Sequence, residues 1–485
     1  MHHFQLSVCA GLIGALSVST VYAATRYVNV SNAAPAAPHT NWATASTNLQ
    51  QAIDWADSGD EILVAPGIYR LSGSAVWIPT TKALTLRSVR SREAVIDAQG
   101  LSLALQVQGG GSVVEGFTVR NGSNDNYGGG IYLMTNATLR DCLVTRNQGD
   151  GAGGIMIYGE ALVVGCTIAS NQSSGPGGGV VLYSNSRGRL DRCVIRDNVA
   201  SSYGGGVWID QGGAVSNSVI SENASFEDGG GVYMTCAGSA NQAELVNSVI
   251  WGNSAAQNGG GVYAIGPIGT LSPVVNCTIV SNTAGVDGGG AYAWTTRFVN
   301  DILYYNSAPT NANLSAHDSE HSCIVSNCCV TPDRGLPCIT NAPAFVDAAG
   351  GDFHLATASF CIDAGTTNGA PGGDIEGRSR LTPGMPGHAG LTDIGAYEYA
   401  FHFNDIRFTA PNTAQLLWDV QDRGIYRLDA ATNGMVSPPW IEDIEVYTNP
   451  GMAAGQFMVR TQTVVIPSPV PAKASFRLRV GHTLF

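Results

Sequence analysis

One phrase recurs along the sequence and limits the folds that the chain can adopt. Each copy consists of a cysteine or serine, any residue, an aliphatic residue, two further residues, an asparagine, a short loop and a glycine run. Successive asparagines of the main series lie 24 to 30 residues apart. Repeats of this length are typical of solenoids, in which every copy stacks on the next. The asparagines are Asn147, Asn171, Asn198, Asn223, Asn253, Asn282 and a looser Asn306, which no glycine run follows, and we count Asn121 as an eighth.

Each copy contains two short runs with the composition of β-strands and no helical period between them. One run precedes the asparagine, as in residues 162–168, and the other follows the glycines, as in residues 207–209. Both runs are rich in β-branched and aliphatic residues, which favour strands. A turn of about 25 residues built from short strands is a coil of a parallel β-helix.

Strand alternation assigns the two faces of each coil. It predicts that Val207 and Ile209 point inward and that Trp208, between them, points outward. The cysteine slot also points inward, and Ser218 and Ser248 fill it in other coils. We therefore expect buried thiols in this slot without disulfides between coils. The asparagines and glycines are expected to build the turns, because side-chain amides satisfy turn backbone and glycine tolerates close packing.

The N-terminus predicts export. Residues 1–23 are read as a signal peptide, because residues 12–21 are apolar or small and Val21-Tyr22-Ala23 suits signal peptidase. No other segment of the sequence is long and apolar enough to span a membrane. We therefore expect a secreted, extracellular or cell-surface protein, and a monomer. The net charge of -13, with only two lysines, argues against nucleic-acid binding.

Ten cysteines follow the predicted signal peptide, and five of them crowd residues 323–361. Because an exported protein meets oxidising conditions, we expect disulfides in this region. The pair Cys329–Cys338 is our first choice, although connectivity cannot be derived from sequence. The neighbouring residues 317–323 include histidines and acids but lack clean ligand spacing. No metal site is predicted there.

Three stretches of the chain resemble a known group of proteins. Residues 48–53, Asn-Leu-Gln-Gln-Ala-Ile, and residues 59–69, Gly-Asp-Glu-Ile-Leu-Val-Ala-Pro-Gly-Ile-Tyr, resemble the N-terminal cap of bacterial right-handed parallel β-helix proteins in the pectin-lyase-like superfamily. The repeats look like those of polymorphic outer-membrane proteins, and residues 353–398 resemble a segment that often closes such helices in exported bacterial proteins. The resemblance implies a right-handed parallel β-helix. It implies no particular activity, because the superfamily contains lyases, hydrolases, epimerases, adhesins and inert scaffolds.

The chain is expected to be all-β and to divide into three segments after the signal peptide. Residues 24–345 form the β-helix, with a capping helix at about 47–57 that begins after Thr47 or Ser46. Residues 346–400 form a terminal segment that closes the β-helix. Residues 401–485 alternate like strands between turns and predict a small β-sandwich-like module. This tail is similar to modules of other secreted β-helix proteins for which surface attachment or sugar binding is supposed.

The outward slot of the coils holds aromatic residues, and these are candidates for carbohydrate binding. At the spacing of neighbouring strands, about 4.8 Å, four consecutive coils would place a flat aromatic row on the surface. Such a row suits sugar rings, and a large exposed apolar row usually has a partner. The alternative is that the row packs beneath a loop or the C-terminal module. The four residues are Trp208, Tyr233, Tyr263 and Tyr292.

The arginines of the early coils suggest a second kind of site. Lyases of this fold remove a proton beside a uronate carboxylate, which requires a lysine or arginine base and often Ca²⁺. The repeats contain no lysine, so the weak catalytic candidates are Arg120, Arg146 and Arg192. Arg120 and Arg146 each precede a counted asparagine and are expected to stack on neighbouring coils. The alternative is solvated pairing with aspartates on a surface.

The sequence therefore predicts a secreted or cell-surface β-helix that binds extracellular polysaccharide or another surface component. It shows no recognisable catalytic set and implies no cofactor. The alternative function is a lyase of a uronate-containing polymer, with an arginine base in the early coils and Ca²⁺ assisting. A hydrolase is disfavoured, because the coils lack paired aspartates and the sequence has no histidine between His39 and His317.

Overall fold

The protein is described from a computed structural model. The structure describes residues 23–399 with gaps at 184–185, 237–241, 317–322, 336 and 381–391. Beyond residue 399 it describes strands, between residues 403 and 481. The predicted signal peptide, except for its last residue, and most of the histidine-containing segment after residue 316 lie outside the described residues.

The chain winds into a parallel β-helix, as the repeat predicts. Three long parallel sheets run along it, and strands of neighbouring coils pair in register. Sheet A contains Thr25–Val28, Glu61–Val64, Thr85–Ser88, Val113–Glu115, Thr138–Arg140, Leu162–Val164, Arg189–Asp191, Gly213–Ser216, Ala243–Val246, Ser272–Val275, Thr296–Val299 and Ile324–Ser326. Sheet B contains Gly67–Arg70, Ala94–Asp97, Phe117–Arg120, Leu143–Thr145, Thr167–Ala169, Val194–Arg196, Val219–Ser221, Val249–Trp251, Thr278–Val280, Ile302–Tyr304 and Cys329–Val330.

Sheet C follows the glycine runs, and a narrow sheet D lies between the asparagines and these runs. Sheet C contains Val76–Ile78, Leu105–Val107, Ile131–Met134, Ile155–Tyr158, Val180–Leu182, Val207–Ile209, Val232–Thr235, Val262–Ile265, Ala291–Ala293 and Leu314–Ala316. Sheet D contains Ser123–Asn124, Gln148–Gly149, Gln172–Ser173, Val199–Ala200, Ala224–Ser225, Ser254–Ala255 and Thr283–Ala284. Each full coil therefore runs through sheets A, B, D and C in that order.

Inward side chains fill the coil, and the predicted alternation is confirmed. Val207 and Ile209 are fully buried, whereas Trp208 between them lies on the outer face. The cysteine slot faces the core too. The Cys142 thiol donates to the Arg140 carbonyl at 3.2 Å. Three coils later, the Ser218 hydroxyl makes the equivalent bond to the Ser216 carbonyl. The slot therefore accepts any small side chain that can donate to backbone.

The main asparagine ladder forms a continuous chain of buried amides. In each step the Nδ2 group of one asparagine donates to the Oδ1 atom of the next, as from Asn171 to Asn198 at 3.0 Å. The same Oδ1 atom accepts the backbone N–H of Asn171 at 3.0 Å. Asn306 belongs to the ladder, which continues to Asn313 through an Nδ2–Oδ1 bond of 3.2 Å. These bonds satisfy turn backbone that no strand can pair.

The count of Asn121 as an eighth anchor is wrong. Its backbone N–H bonds to the Arg146 carbonyl at 3.2 Å, and both residues have left-handed φ angles, 54° and 56°. Asn121 therefore stacks on Arg146, one position before the ladder, and the Asn147 Oδ1 atom accepts the N–H of Gly122 instead. Asparagine tolerates the left-handed region better than most residues, which explains why it occupies this neighbouring slot as well.

The N-terminal end is covered by the predicted helix. The helix runs over Leu49–Trp55 and buries Leu49, Ala52 and Ile53 against the first coils. Its cap is Asn48, whose side chain accepts the Gln51 N–H at 3.1 Å, and not Thr47 or Ser46 as predicted. The Ser46 hydroxyl donates to the Asn48 carbonyl, which fixes the cap residue. A short 3-10 turn, Trp42–Thr44, precedes it.

The terminal segment packs on the side of the late coils along sheet B. Its Phe353, Leu355 and Ile394 join Val280 and Ile302 in one buried cluster. Within it, the strands Phe345–Asp347 and Asp352–Leu355 pair antiparallel. The segment covers an apolar face of these coils that would otherwise meet water, each large side chain contributing about 1.5–3 kcal/mol on burial.

A second, partial asparagine ladder receives the terminal segment. It lies between sheets A and B, one residue before the cysteine slot. Asn247 donates to the Gly373 carbonyl at 2.6 Å, and Asn300 donates to the Thr366 carbonyl at 2.8 Å. The members are Asn217, Asn247, Asn276, Asn300 and Asn327, all with left-handed φ angles. Early coils hold Asp141, Gly165 and Arg192 in this slot, so they lack the docking amides.

A buried ionic cluster closes the terminal segment over this ladder. The Arg380 guanidinium bonds to Glu398 at 2.7 Å and to the Asn247 Oδ1 atom at 2.6 Å. Asp393 lies beside this pair and accepts the Asp363 N–H at 2.7 Å. Burial, and next the Glu398 carboxylate, raise the pKa of Asp393 to about 8. The segment thus holds a proton that the unfolded chain would release.

We expect the pH dependence of stability to report this proton. The folded pKa of Asp393 lies above its value of 3.8 in the unfolded chain. Its stabilisation is therefore complete below pH 4 and disappears as the pH rises towards 8. The midpoint temperature of thermal unfolding should decrease as the pH is raised from 5 to 8.5. Asp393→Asn should make this decrease with pH smaller. Equal slopes in both proteins would contradict the assignment. Asp60 and Asp97 have lowered pKa values, so the stability that they contribute is lost at lower pH, as the pH falls through those values.

The tail forms two antiparallel sheets. One contains Phe403–Ala410, Thr413–Val420 and Met458–Val465, and the other contains Ile425–Thr432, Trp440–Ile441, Val446–Tyr447 and Ala474–Gly481. The strands agree with the predicted all-β tail, and their packing as a sandwich stays a prediction. In the part of the chain that the structure describes, no helix has the length and apolarity to cross a membrane.

Candidate functional site

A row of stacked tyrosines lies on the outer face of sheet C in the late coils. Tyr233 and Tyr263 have ring centroids 4.8 Å apart with an interplanar angle of 7°, and Tyr263 and Tyr292 are 5.0 Å apart with an angle of 2°. Tyr203, from the loop before its sheet C strand, extends the stack with a centroid 4.7 Å from Tyr233. We call these four residues the tyrosine row. In-register pairing of sheet C places its last three members.

The orientation of the rings differs from the predicted flat platform. Tyr233 and Tyr263 each have an aromatic ring against both faces, so neither can offer a whole face to a sugar. All four residues are half-buried. Parallel rings at this centroid distance are offset-stacked, and the surface of the row consists of ring edges and phenol hydroxyls. Strand alternation predicts the outward side, but the ring orientation depends on side-chain torsions that it does not constrain.

Trp208 lies at the junction between the tyrosine row and a closed apolar patch. Its register partners are Tyr233 on one side and Val181 on the other. Val181 is fully buried and packs with Met156 and Tyr132 in a separate cluster that Trp208 also contacts. Side-chain packing therefore closes the outward slot in the early coils, whereas the late coils leave the tyrosine row half-buried on the outer face.

Carboxylates and amides line the tyrosine row. The Asp228 Oδ1 atom accepts the Asn258 Nδ2 group at 3.0 Å. In the next coils Asp287 accepts the side chains of Asn311 at 2.9 Å and Ser315 at 2.8 Å. Ser315 pairs in register with Tyr292, which fixes this polar line beside the row.

The charge of this line acts on the phenols. Burial, and then interactions with Tyr203 and with the carboxylates of Asp228, Glu227 and Asp210, raise the pKa of Tyr233 to about 12. A hydrogen bond to Glu227 raises the pKa of Tyr203. The Tyr203 and Tyr233 phenols therefore stay protonated at neutral pH and act as neutral donors and acceptors in an acidic setting.

The three candidate arginines do not form one site. Arg120 pairs with Asp97 through bonds of 3.1 and 2.9 Å. Although burial raises it, bonds from Asn121 and Arg120 hold the pKa of Asp97 below its usual value. Arg192 is exposed and pairs with Asp191 at 3.1 Å. Arg192 thus matches the surface-pairing alternative, whereas Arg120 pairs with an aspartate that is buried.

The predicted stacking of Arg120 and Arg146 is wrong by one residue. Arg120 pairs in register with Thr145 at the end of a sheet B strand, while Arg146 occupies the left-handed position after it. Arg192 occupies the left-handed position before a sheet B strand. Asp197 follows five residues later, and it is the residue of that coil that occupies the position equivalent to Arg146. Five extended residues span about 16 Å, so Arg146 and Arg192 lie at opposite edges of sheet B.

The structure does not bring the predicted disulfide pair together. Cys328 and Cys329 are consecutive in the chain, and their side chains point to opposite sides of the strand. The Cys338 thiol is hydrogen-bonded to Cys328 in the core, whereas Cys329 belongs to the cluster beneath the terminal segment. Among the described residues no cysteine forms a disulfide. Cys329–Cys338 therefore lacks the side-chain approach that a disulfide requires.

Comparison with known proteins identifies the fold. A family model described as "Right handed beta helix region" matches residues 96–250. Together with the parallel sheets, this match defines the class: a right-handed parallel β-helix. No curated protein matches the chain.

A solved pectate lyase shares this fold. Pectate lyase Pel9A is 17% identical with a TM-score of 0.55, and the match covers 78% of this chain and 96% of the lyase. A rhamnogalacturonan lyase is 12% identical with a TM-score of 0.45, and that match covers 71% of this chain and 97% of the lyase. At 17% identity the likeness to the pectate lyase shows the fold alone, a parallel β-helix.

Some residues of the site escaped sequence reasoning. Tyr203 and Asp228 come from loops between sheets D and C, outside the repeated slots. A sequence signal exists in hindsight: a tyrosine or acid stands one or two residues before each of the glycine runs that end at Gly206, Gly231 and Gly290. These positions lie in the loop of each repeat that varies in sequence and length, where the repeat predicts no particular residue.

Proposed function

We propose that the protein is an exported, non-catalytic β-helix that binds an extracellular polysaccharide along the tyrosine row. One observation carries the proposal: four tyrosines in successive layers stand half-buried on one face and present edges and hydroxyls at a fixed repeat of about 4.8 Å. An extended polymer can contact several layers at once, and such multiple contacts raise the overall affinity. Tyrosine supplies both apolar area and hydrogen bonding at low entropic cost.

The charge around the row favours a polysaccharide without negative charge. Glu227, Asp228, Asp210 and Asp287 stand on or beside the row. Carboxylates of a uronate polymer would approach these groups at short range, where like charges repel and screening by salt is incomplete. Neutral sugars can instead donate hydrogen bonds from their hydroxyl groups to the carboxylates. The acidic line thus supports neutral polymers as the ligand class.

The positions of the arginines count against the lyase alternative. A uronate lyase needs a base and a group that neutralises the substrate carboxylate at the same sugar unit. Arg120 and Arg192 are each paired to an aspartate, and Arg146 and Arg192 lie at opposite edges of sheet B. We therefore place the ligand on sheet C and not on sheet B.

We expect Tyr233→Ala combined with Tyr263→Ala to abolish binding to the neutral polysaccharide that the intact protein retains. The two substitutions remove the middle of the row and leave its ends without a continuous surface. The measurement is retention on insoluble neutral polysaccharides, followed by titration of a soluble fragment. A loss of at least about 30-fold in affinity is expected, since removal of each contact residue at a binding hot spot costs 1 kcal/mol or more.

A matched control removes two tyrosines from another face. Tyr304 and Tyr305 form an edge-to-face pair at the end of a sheet B strand, with centroids 4.8 Å apart. Tyr304→Ala combined with Tyr305→Ala should leave binding unchanged. Unchanged binding in the Tyr233/Tyr263 variant, or equal loss in both variants, would remove the tyrosine row as the binding surface.

A further inference from the structure

Two cysteines from separate parts of the chain meet beneath the terminal segment. Cys329 begins the last sheet B strand, and Cys361 belongs to the terminal segment. Both are completely buried in the same apolar cluster. Their thiols are hydrogen-bonded to each other, and Cys329 also donates to the Asn341 carbonyl at 3.2 Å.

This pair differs from the cysteines in the core slot. Cys142 and Cys193 donate to carbonyls two residues earlier in the chain, and serine replaces them in other coils with the same bond. Their neighbours are equivalent residues of adjacent coils. Cys329 and Cys361 share no repeat position, so their contact joins two elements that are otherwise linked by packing and hydrogen bonds.

We propose that Cys329 and Cys361 form a disulfide that fastens the terminal segment to the last coil. The oxidant is a small-molecule or enzymatic disulfide. One cysteine loses its proton and attacks the oxidant to give a mixed disulfide and one released thiol. The other cysteine then attacks the mixed disulfide and releases the second thiol. Two protein thiols are oxidised and one disulfide is reduced to two thiols, so atoms and electrons balance.

The bond is expected to form before or during docking of the terminal segment. The contact with Cys329, and next burial, raise the pKa of Cys361 well above its usual value. Little thiolate is therefore present once the segment has packed, and the thiolate is the attacking species. A protein folded under reduction should oxidise slowly, whereas refolding in a mixture of oxidised and reduced glutathione should give the bond directly.

Peptide mapping of the full chain tests the connectivity. The refolded protein is alkylated under denaturing conditions without reductant and cleaved with trypsin and a protease that cuts before aspartate. Residues 318–332 then carry Cys329, residues 335–346 carry Cys338, and residues 352–362 carry Cys361. We expect the first and third peptides to be linked. The first peptide contains both Cys328 and Cys329, so single variants are needed to identify the linked cysteine. The link should vanish in Cys329→Ser and persist in Cys328→Ser.

Two results would overturn the proposal: a link between the first and third peptides that survives in Cys329→Ser, or full alkylation of Cys361. Proteolysis supplies a second readout. Reduction should speed cleavage within residues 346–380 by at least about tenfold, because the crosslink limits opening of the segment. Cys361→Ser should show the fast rate with or without reductant, and Cys142→Ser should keep the difference. An equal rate for the reduced and oxidised intact protein would also count against it.

Discussion

Asn198→Ala should destabilise the β-helix by about 3–5 kcal/mol, because buried polar groups lose their partners. The Asn198 Oδ1 atom accepts the N–H and the Nδ2 group of Asn171, both at 3.0 Å. Its Nδ2 group donates to the Ile168 carbonyl at 3.0 Å. Alanine leaves these groups of the preceding coil unsatisfied in a site that is completely buried. The measurement is the urea midpoint of unfolding followed by circular dichroism.

The control for this substitution is an asparagine outside the ladder. Asn126 is exposed in the loop before a glycine run. Asn126→Ala should change the free energy of unfolding by no more than about 0.5 kcal/mol. If Asn198→Ala were equally mild, the amide ladder would not be what holds the coils at this turn.

Gly205→Ala should destabilise the fold by about 4 kcal/mol or prevent soluble expression. A Cβ atom at Gly205 would lie 2.4 Å from the Gly230 carbonyl oxygen and 2.5 Å from the Ala224 carbonyl carbon. Both atoms are backbone of the next coil, which its own hydrogen bonds hold in place. The coils would have to separate locally, and such overpacking has a large cost. Soluble yield and the urea midpoint measure the effect.

A glycine with free space provides the control. At Gly372 an added Cβ atom meets nothing within 4 Å, and the backbone is not left-handed. Gly372→Ala should leave yield and midpoint unchanged. A similar loss in both variants would mean that glycine is required for flexibility and not for the close approach of coils.

The repeated residues made the fold predictable. Each coil repeats the same local structure. The positions of the cysteine slot, the glycine runs and the main asparagine ladder could therefore be predicted from the repeat. The error at Asn121 arose because asparagine also favours the adjacent left-handed position. The second asparagine ladder was missed because it exists in late coils alone, as in Asn247-Ser248 and Asn276-Cys277.

The candidate site was predictable only in outline. The period places Tyr233, Tyr263 and Tyr292 on the outer face, but Tyr203 joins them from a loop. Loop docking and ring orientation depend on tertiary packing, which the repeat does not encode. The pairing of Arg120 with Asp97, and that of Cys329 with Cys361, likewise depend on register and on the path of the terminal segment.

The most direct test of the central claim is one assay of the intact protein on a matched panel of neutral and uronate polysaccharides. Retention and the ultraviolet absorbance of unsaturated products are measured together, with and without Ca²⁺. We predict retention on at least one neutral polymer, weaker retention on uronates, and no unsaturated product from any member. Unsaturated product that depends on Arg120, Arg146 or Arg192, or retention confined to uronates, would contradict the account.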